Sequence, residues 1–426
     1  MTDYLPTFPI ERHRLANGLD VVLQPDSHLP LVAVNLWYHV GSKNERPGKT
    51  GFAHLFEHML FQGSVNVGTN DHFALLQKIG GVANGSTSYD RTNYYETVPS
   101  HQLELALWLE SDRMGFLLPA MTQEKLDNQR EVVMNERRQR VDNQPYGRAF
   151  EKLNQLVFPA DHPYSWPVIG YMDDIEAARL EDVQHFFETY YRPNNAVLTL
   201  AGDCRPERAL AMVEDYFGEL PGALPPPAVA ASCEPTSGEQ RAVLEDEVQL
   251  ARLYIAYRIP AFGSHGWLLA DLLASALTRG KSSPMYRDLV QRRQLAQDVS
   301  AAVLPTELES TFIVITTARP ETSPDQLLAA VDEHLERAAQ EVLPSHAFER
   351  CRNGLVTSYI EQLQSLDLRA DLLSQSATFL GDPARYLDRL AAYQEATPRE
   401  VREFAESSIA PPHRVVVTVV PGEAAA

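Results

Sequence analysis

Two distant segments of the chain, residues 183–200 and 401–418, share one pattern of residues. Each begins with an amphipathic helical stretch, passes through a proline, Pro193 or Pro411, and ends in an apolar, β-branched run. The matched positions keep one constant offset in residue number. Because proline ends a helix and β-branched runs favour strands, each segment is predicted to form a helix–turn–strand unit. We infer a chain of two homologous halves, with chance similarity of a common pattern as the alternative.

A proline-rich stretch near the midpoint separates the two halves. Residues 221–238 read PGALPPPAVAASCEPTSG, which can continue neither a helix nor a central strand. We therefore predict a first half at residues 1–220, a linker at 221–238, and a second half at 239–426.

Strand and helix patterns alternate in both halves. The segment 14–24 holds an Asn17-Gly18 turn signal beside an alternating run and, with a strand at 31–40, is predicted to start a hairpin or meander. Further strands are predicted at 92–98, 196–200, 244–258, 311–317 and 414–418. The helices are predicted at 51–63, 103–116, 123–140, 181–191, 267–277, 285–293, 324–342 and 348–370. This pattern predicts an α+β fold of two homologous domains, each a mostly antiparallel β-sheet with helices packed on one face.

The charge of the chain limits its partners. Lys and Arg number 37 against 57 Asp and Glu, a net charge of −20, so no nucleic-acid partner is expected. The apolar runs are too short to cross a bilayer, and no membrane partner is expected either. The cysteines, Cys204, Cys233 and Cys351, are odd in number and far apart, which argues against a disulfide framework. Residues 1–10 show no secretory signal, so we expect a cytoplasmic location, or a periplasmic one if a signal was trimmed.

One apolar segment, residues 51–63, carries three polar groups. It reads GFAHLFEHMLFQG and is predicted to form a buried helix over this whole range, capped by Thr50. At about 3.6 residues per turn, His54 and His58 lie one turn apart on one face, with Glu57 beside them. Three ordinary, hydrogen-bonded polar groups in a helix are the alternative interpretation.

The spacing of the histidines is typical of a zinc site. Two imidazoles one turn apart suit a tetrahedral Zn²⁺, and the order HxxEH is the inverted zincin motif. A buried carboxylate between them would be costly unless a cation or bound water compensates it. A catalytic zinc of this kind needs a third ligand from another helix. The predicted helix 123–140 offers Glu124, Asp127, Glu131 and Glu136, and spacing alone leaves all four open.

Three motifs follow one another in the first half: GFAHLFEHMLFQGS, GGVANGSTSYDRTNYYETVP and REVVMNERRQRVDNQPYGR. Together they make the chain resemble the pitrilysin/insulinase family of zinc metallopeptidases, in the bacterial type of its processing-peptidase branch. That family is built from homologous halves of about this size, so the likeness covers essentially the whole chain. The resemblance implies that His54, His58 and Glu136 bind Zn²⁺, which makes 1–220 the zinc-bearing catalytic half and leaves 239–426 without a metal motif. Family members often carry a further acid where this chain has Gln129, so a supporting role beside the zinc is either absent or passes to Glu131.

The resemblance also implies a reaction. Glu57, which is not a ligand, would take a proton from the attacking water and pass it to the leaving amine. The chain is therefore expected to be a zinc-dependent endopeptidase that hydrolyses peptides or unfolded segments. In the family, an edge strand binds the peptide backbone by strand addition. Ala83 and Asn84 are the matching candidates for substrate contact, although their segment also fits an ordinary hairpin.

The second half departs from the family pattern. Family members that are active alone usually carry an Arg and a Tyr in the region where this chain has Val290 and Gln297. Arg292 or Arg293 could substitute if the alignment is shifted by a few residues. A chain with a complete zinc half and no such pair resembles one subunit of a two-subunit enzyme. We therefore predict a heterodimer with a homologous, zinc-free subunit that supplies the pair, with a homodimer as the alternative.

Two other functions compete with the peptidase. The chain could be a non-catalytic assembly or scaffold subunit, as some relatives in respiratory complexes are, but such relatives typically lose the zinc residues that this chain keeps. A purely structural zinc site usually closes all four positions and favours cysteine. It would also leave Glu57 without a task.

Overall fold

The computed structural model describes residues 8–231, 238–409 and 413–422, so that Cys233 and Pro411 lie outside the described residues. The strands are β1 (Glu11–Arg14), β2 (Asp20–Pro25), β3 (Leu31–Tyr38), β4 (Val82–Thr87), β5 (Thr92–Pro99), β6 (Ala196–Gly202), β7 (Gln240–Asp246), β8 (Arg252–Ile259), β9 (Ala296–Leu304), β10 (Ser310–Ala318) and β11 (Arg414–Pro421).

The helices are α1 (Phe52–Met59), α2 (Asp71–Lys78), α3 (Leu103–Phe116), α4 (Gln123–Arg137), α5 (Ala149–Val157), α6 (Met172–Glu176), α7 (Leu180–Tyr190), α8 (Pro206–Phe217), α9 (His265–Thr278), α10 (Pro324–Gln340), α11 (Ser345–Gln362), α12 (Leu366–Leu380), α13 (Asp388–Glu395) and α14 (Pro398–Ser408). One π-helical segment follows α4 at Arg138–Asp142, and another precedes β9 at Tyr286–Arg292. Within the described ranges, none of the helices combines the length and the apolar character needed to span a membrane.

The strands form two sheets, one in each half of the sequence. The first has the order β1-β2-β6-β3-β5-β4 and the second the order β7-β11-β8-β10-β9. One pair in each sheet is parallel, β2 with β6 and β7 with β11, and the other pairs are antiparallel. Without β1, the two sheets have the same strand order, as a duplicated chain would produce. The predicted α+β class with mostly antiparallel sheets is confirmed.

The repeated segments found in the sequence occupy equivalent places in the two sheets. The first forms α7 and β6, and the second forms α14 and β11. β6 lies between β2 and β3, just as β11 lies between β7 and β8. Both strands are buried along most of their length, which explains their continuous apolar, β-branched sequences.

Helices cover both faces of the first sheet. One face, which includes Val32 and Leu36, belongs to the main core of this sheet, against α1, α3 and α8. On the other face, Ala33 and Ala201 contact Ala370 of α12. The sequence predicts helices on one face only. The outer face is covered as well because α12, which comes from the second half of the sequence, packs against it.

The second sheet is covered in the same way. Its main core lies on the face that includes Ile255 and Val314, against α9, α10 and α14. Its other face is covered by α5, which comes from the first half of the sequence. There the ring of Phe150 meets the ring of Tyr254 edge to face, with the centroids 5.5 Å apart.

The chain divides into two compact units, and each unit includes the helix from the other half of the sequence that covers its sheet. One unit comprises the described residues up to Asn135 together with 167–229 and 360–387. The other comprises 136–166, the described residues between 230 and 359, and those from Asp388 onward. The units therefore differ from the two predicted sequence halves in the segments that carry α5 and α12. Each of these two segments packs on the outer face of the sheet that the other half of the sequence forms.

Some elements differ from the sequence predictions. The strand predicted at 244–258 is two strands, β7 and β8, and the helix predicted at 348–370 is two helices, α11 and α12. The apolar pattern runs through this break because both helices bury a face, although they do so in different units. The edge strands β4 and β9 were not predicted, because half-exposed edge strands of small and polar residues carry no continuous apolar run.

Polar contacts anchor α12 to the first sheet. Asp371, within α12, accepts hydrogen bonds from Trp37 Nε1 at 2.8 Å and from Asn93 Nδ2 at 3.1 Å. Burial raises the pKa of Asp371, and the nearby Arg91 guanidinium opposes that rise. The Asp371 carboxyl group thus accepts hydrogen bonds from two neighbouring strands, β3 and β5.

A second anchor of α12, the ion pair between Arg369 and Asp26, should make stability depend on pH. Arg369 Nη2 lies 2.8 Å from Asp26 Oδ2. Burial raises the pKa of Asp26, but hydrogen bonds from His28 and Arg369 outweigh it and lower the pKa to about 2. Because this value lies below the unfolded value of about 3.8, the stabilisation is complete above about pH 4 and is lost as the pH falls towards 2.

We therefore expect Asp26→Asn to lower the urea midpoint of unfolding at neutral pH, and the difference from the parent protein to shrink at about pH 3. Equilibrium urea titrations at both pH values would measure it. A difference of equal size at neutral and acidic pH would contradict the assigned role of the ionised carboxyl group.

Candidate metal centre

Helix α1 carries only titratable groups on the face that it does not bury. It buries Phe52, Ala53, Leu55, Phe56 and Met59 in the first core. The half-buried face carries His54, Glu57 and His58. Packing of the apolar side chains therefore fixes the direction in which these three groups point.

The ends of α1 differ from the prediction. Its N-cap is Gly51, whose φ of +84° is a left-handed conformation that favours glycine. Thr50 does not cap the helix, because its hydroxyl donates to Asp174 Oδ2 at 2.6 Å. The helix ends at Met59 rather than at Gly63, since the chain then continues in tighter turns.

The half-buried carboxyl group of Glu45 accepts hydrogen bonds from the first turn of α1. Glu45 Oε2 accepts the Gly51 N–H at 2.9 Å and Glu45 Oε1 accepts the Ala53 N–H at 2.7 Å. Burial raises the pKa of Glu45 well above its usual value, and these backbone hydrogen bonds oppose the rise. The arrangement pairs a carboxyl group with the positive end of the helix dipole. It holds the turn that carries His54 in place.

The three residues predicted to bind the metal lie close to one another. One ligand atom each from His54, His58 and Glu136 can be chosen so that all lie within 4.8 Å of one another. Glu136 is on α4, and the boundary between the compact units falls directly before it. The helix up to Asn135 belongs to the same unit as the histidines, so α4 itself brings Glu136 to them. No second group of this kind occurs among the described residues.

The other acids of α4 lie elsewhere. Glu124 and Glu131 are exposed, and Asp127 Oδ1 lies 2.8 Å from Arg130 Nη2. Gln129 is buried on the same helix. Because Glu131 is exposed, the structure gives no support to the supporting role beside the zinc that is predicted for it.

The donor set of this group fits zinc. Two imidazoles and one carboxylate are the ligands of a catalytic zinc site that keeps a fourth position for water. Glu136 Oε1 lies 2.6 Å from Arg140 Nη1, a contact that orients the carboxylate. The group contains no cysteine, which argues against a closed structural site.

Glu57 lies beside the three grouped residues without being one of them. Thr87 Oγ1, at the end of β4, donates to Glu57 Oε2 at 2.5 Å. Gly85 is close by, since a Cβ added there would lie 3.2 Å from Glu57 Oε1. Neither residue was singled out in the sequence. The available signal was the alternation that places Ala83, Gly85 and Thr87 on one face of a strand.

The residues predicted to contact substrate lie on β4, an edge strand of the first sheet. β4 pairs with β5 on one side, and no other described strand pairs with its second side. Ala83 packs against the first core, whereas Asn84 is exposed on the opposite face. Such an edge exposes backbone N–H and C=O groups that can pair with an extended peptide.

The two residues predicted to replace the family's Arg and Tyr, Val290 and Gln297, are not part of any cluster of catalytic type among the described residues. Val290 is buried in the second core and Gln297 is exposed on β9. Arg292 pairs with Asp288, and Arg293 Nη1 lies 2.7 Å from Glu333 Oε2. Both arginines are thus engaged by acids of their own unit.

Comparison with known proteins agrees with this fold. The family model described as insulinase (peptidase family M16) matches residues 20–164, and the model described as the peptidase M16 inactive domain matches residues 177–355. The zinc protease PqqE of Helicobacter pylori is 31% identical over 384 residues, which cover 88% of this chain and 85% of that protein. An uncharacterized zinc protease of Streptomyces coelicolor is 25% identical over 404 residues, which cover 93% of this chain and 86% of that protein.

A solved structure shows the same architecture. The crystal structure of a protease from Helicobacter pylori superposes with a TM-score of 0.91 at 27% sequence identity, covering 97% of this chain and 100% of that one. The family models match most of the sequence between residues 20 and 355, and the similarity to PqqE extends over nearly the whole chain. The chain therefore belongs to the insulinase (M16) family of peptidases.

Proposed function

We propose that the chain is the zinc-binding, catalytic subunit of an endopeptidase that hydrolyses peptides or unfolded segments. The observation that carries this proposal is the grouping of His54, His58 and Glu136 within 4.8 Å, with Glu57 beside them on the same helix face. The names of the relatives in Helicobacter pylori and Streptomyces coelicolor, both zinc proteases, agree with it.

The residues of the site have distinct tasks in this proposal. His54, His58 and Glu136 would hold the metal. A zinc ion in such a site supplies Lewis-acid chemistry that acidifies the attacking water and polarises the scissile carbonyl. Glu57 accepts the proton of that water and donates it to the leaving amine. Since proton transfer needs heavy-atom distances near 3 Å, the position of the Glu57 carboxylate is critical.

The edge strand β4 supports binding of an extended peptide. It lies against α1, so a peptide paired with its open edge would run beside the face that carries His54 and Glu57. Recognition of this kind depends on backbone hydrogen bonds more than on side chains. Ala83 and Asn84 would be the peptide-contacting positions. The substrate would then be any accessible extended segment, rather than one defined sequence.

The partner in this proposal is a homologous, zinc-free subunit that supplies an Arg and a Tyr. Its basis is the buried Val290 and the exposed Gln297 at the positions that match the family's pair, together with the pairing of Arg292 and Arg293 to neighbouring acids. A homodimer is the alternative.

Zinc content measured together with cleavage of a quenched fluorescent peptide tests the proposal. We expect about one zinc per chain, and turnover that requires addition of the homologous subunit encoded with this one. Removal of zinc by a chelator should abolish turnover, and added Zn²⁺ should restore it.

Each other outcome has a definite meaning. Turnover by this chain alone would reject the obligate heterodimer and favour the homodimer. A chain that binds no zinc would instead support the non-catalytic assembly subunit, which is the second candidate function.

A further inference from the structure

We propose that Thr87 is a positioning residue that holds the carboxylate of Glu57 in the orientation needed for proton transfer. This inference rests on the proposed peptidase function and adds a residue to its catalytic apparatus. Thr87 is neither a metal ligand nor a predicted substrate contact. It acts only through Glu57.

The contact between the two residues is direct and specific. Thr87 Oγ1 donates to Glu57 Oε2 at 2.5 Å, a short distance typical of a hydroxyl bound to a carboxylate. Two residues earlier on the same face of β4, a Cβ added to Gly85 would lie 3.2 Å from Glu57 Oε1 and 3.3 Å from Glu57 Cγ. The hydroxyl of Thr87 therefore binds one carboxylate oxygen of Glu57, and the absence of a side chain at Gly85 leaves room for the other.

Thr87 is itself held firmly. It pairs with Thr92 at the end of the β4–β5 hairpin, and Thr92 Oγ1 donates to Val40 O at 2.9 Å. The turn between these strands is fixed by a buried ion pair, in which Lys43 Nζ lies 3.3 Å from Asp90 Oδ1. Both side chains of that pair are nearly inaccessible to solvent, at 5% and 6%. These contacts join the β4–β5 turn to the segment that precedes α1.

A fixed partner such as Thr87 suits Glu57, which must take up and release a proton at one position. Glu57 is half-buried on α1, and a glutamate side chain has several rotamers. A hydrogen bond from a fixed hydroxyl selects one of them before substrate arrives. Since a misplacement of about 1 Å can cost roughly 100-fold in rate, the contact has a measurable catalytic consequence.

The test compares three variants. Thr87→Val keeps the shape of the side chain and removes the hydroxyl, Thr87→Ser restores the hydroxyl, and Thr189→Val is a matched control. Thr189 lies on α7, where its hydroxyl donates to the carbonyl of His185 within the same helix. Steady-state kinetics, zinc content and thermal unfolding would be measured for each variant in the active assembly. Crystal structures of the parent chain and of both Thr87 variants give a readout that needs no turnover.

We expect Thr87→Val to lower kcat by about 10- to 100-fold, with KM, zinc content and unfolding temperature close to those of the parent. Thr87→Ser should recover most of the loss, and Thr189→Val should change nothing. In the crystal structures, the Glu57 carboxylate should keep its place in the Ser variant and move in the Val variant.

Three results would overturn the proposal: an unchanged kcat in Thr87→Val, a loss of kcat that follows loss of zinc or folding, or an unmoved Glu57 carboxylate. If the parent chain shows no turnover in any assembly, the peptidase function fails. The position of Glu57 in the crystal structures still decides whether Thr87 orients it.

Discussion

Replacing Glu57 with glutamine is expected to lower kcat by about 10²–10⁴-fold and to leave the zinc content unchanged. The amide has nearly the same shape as the carboxylate and can still accept the hydrogen bond from Thr87, but it cannot take a proton from water. Zinc should stay bound because Glu57 is not one of the three grouped residues. Peptide cleavage and metal analysis on the same preparation would measure both quantities.

Two further variants make this result interpretable. His58→Ala removes one of the grouped residues and should lose zinc and turnover together. Glu188→Gln makes the same chemical change at an exposed position of α7 and should behave like the parent protein. Full turnover by Glu57→Gln would exclude Glu57 as the proton acceptor. Loss of zinc from Glu57→Gln would make Glu57 a metal ligand instead.

The largest effect on stability is expected from Arg113→Met, which should cost about 3–5 kcal/mol. Arg113 and Glu110 form an ion pair on α3 with side-chain exposures of 3% and 0%, and Arg113 Nε donates to Glu110 Oε2 at 2.9 Å. The guanidinium also lies 4.1 Å from the ring centroid of Tyr94. Glu96 is buried near the pair, and burial raises its pKa well above the usual value. Removing the arginine would leave Glu110 as an uncompensated buried charge.

A second substitution separates this mechanism from simple loss of packing. Arg113→Met combined with Glu110→Leu replaces the whole ion pair with apolar groups, and most of the lost stability should return. Arg402→Met, which breaks a more exposed pair with Glu406, should cost no more than about 1 kcal/mol. Urea unfolding would compare all three. The buried-charge explanation fails if the double variant is no more stable than Arg113→Met.

The parts of the site that could be predicted are those encoded locally. The spacing of His54 and His58 translates directly into one helix face, so the sequence alone indicated a metal-binding pair. Spacing left Glu124, Asp127, Glu131 and Glu136 equivalent, because all four lie on one continuous helix. Only the resemblance to a known family selected Glu136, the acid that the structure places with the histidines.

The supports of the site could not be predicted in this way. Glu45 reaches the first turn of α1 from outside the helix, and Thr87 reaches Glu57 from an edge strand that carries no apolar run. Glu110 and Arg113 are charged residues in a helix and would ordinarily be assigned to solvent. Their burial follows from how α3 packs against β5, which is a tertiary contact. Local patterns do not contain that information.

The exchange of α5 and α12 between the two sheets bears on how the protein is made. A ribosome releases the chain from its N-terminus, so all strands of the first sheet have emerged once β6 is complete. The outer face of that sheet must then wait for α12, on the order of ten seconds at roughly 5–20 residues per second. During this interval Ala33 and Trp37 lack their covering helix, and the nascent chain presents a surface suited to chaperones or to aggregation. Neither unit can finish folding until most of the polypeptide has been synthesised.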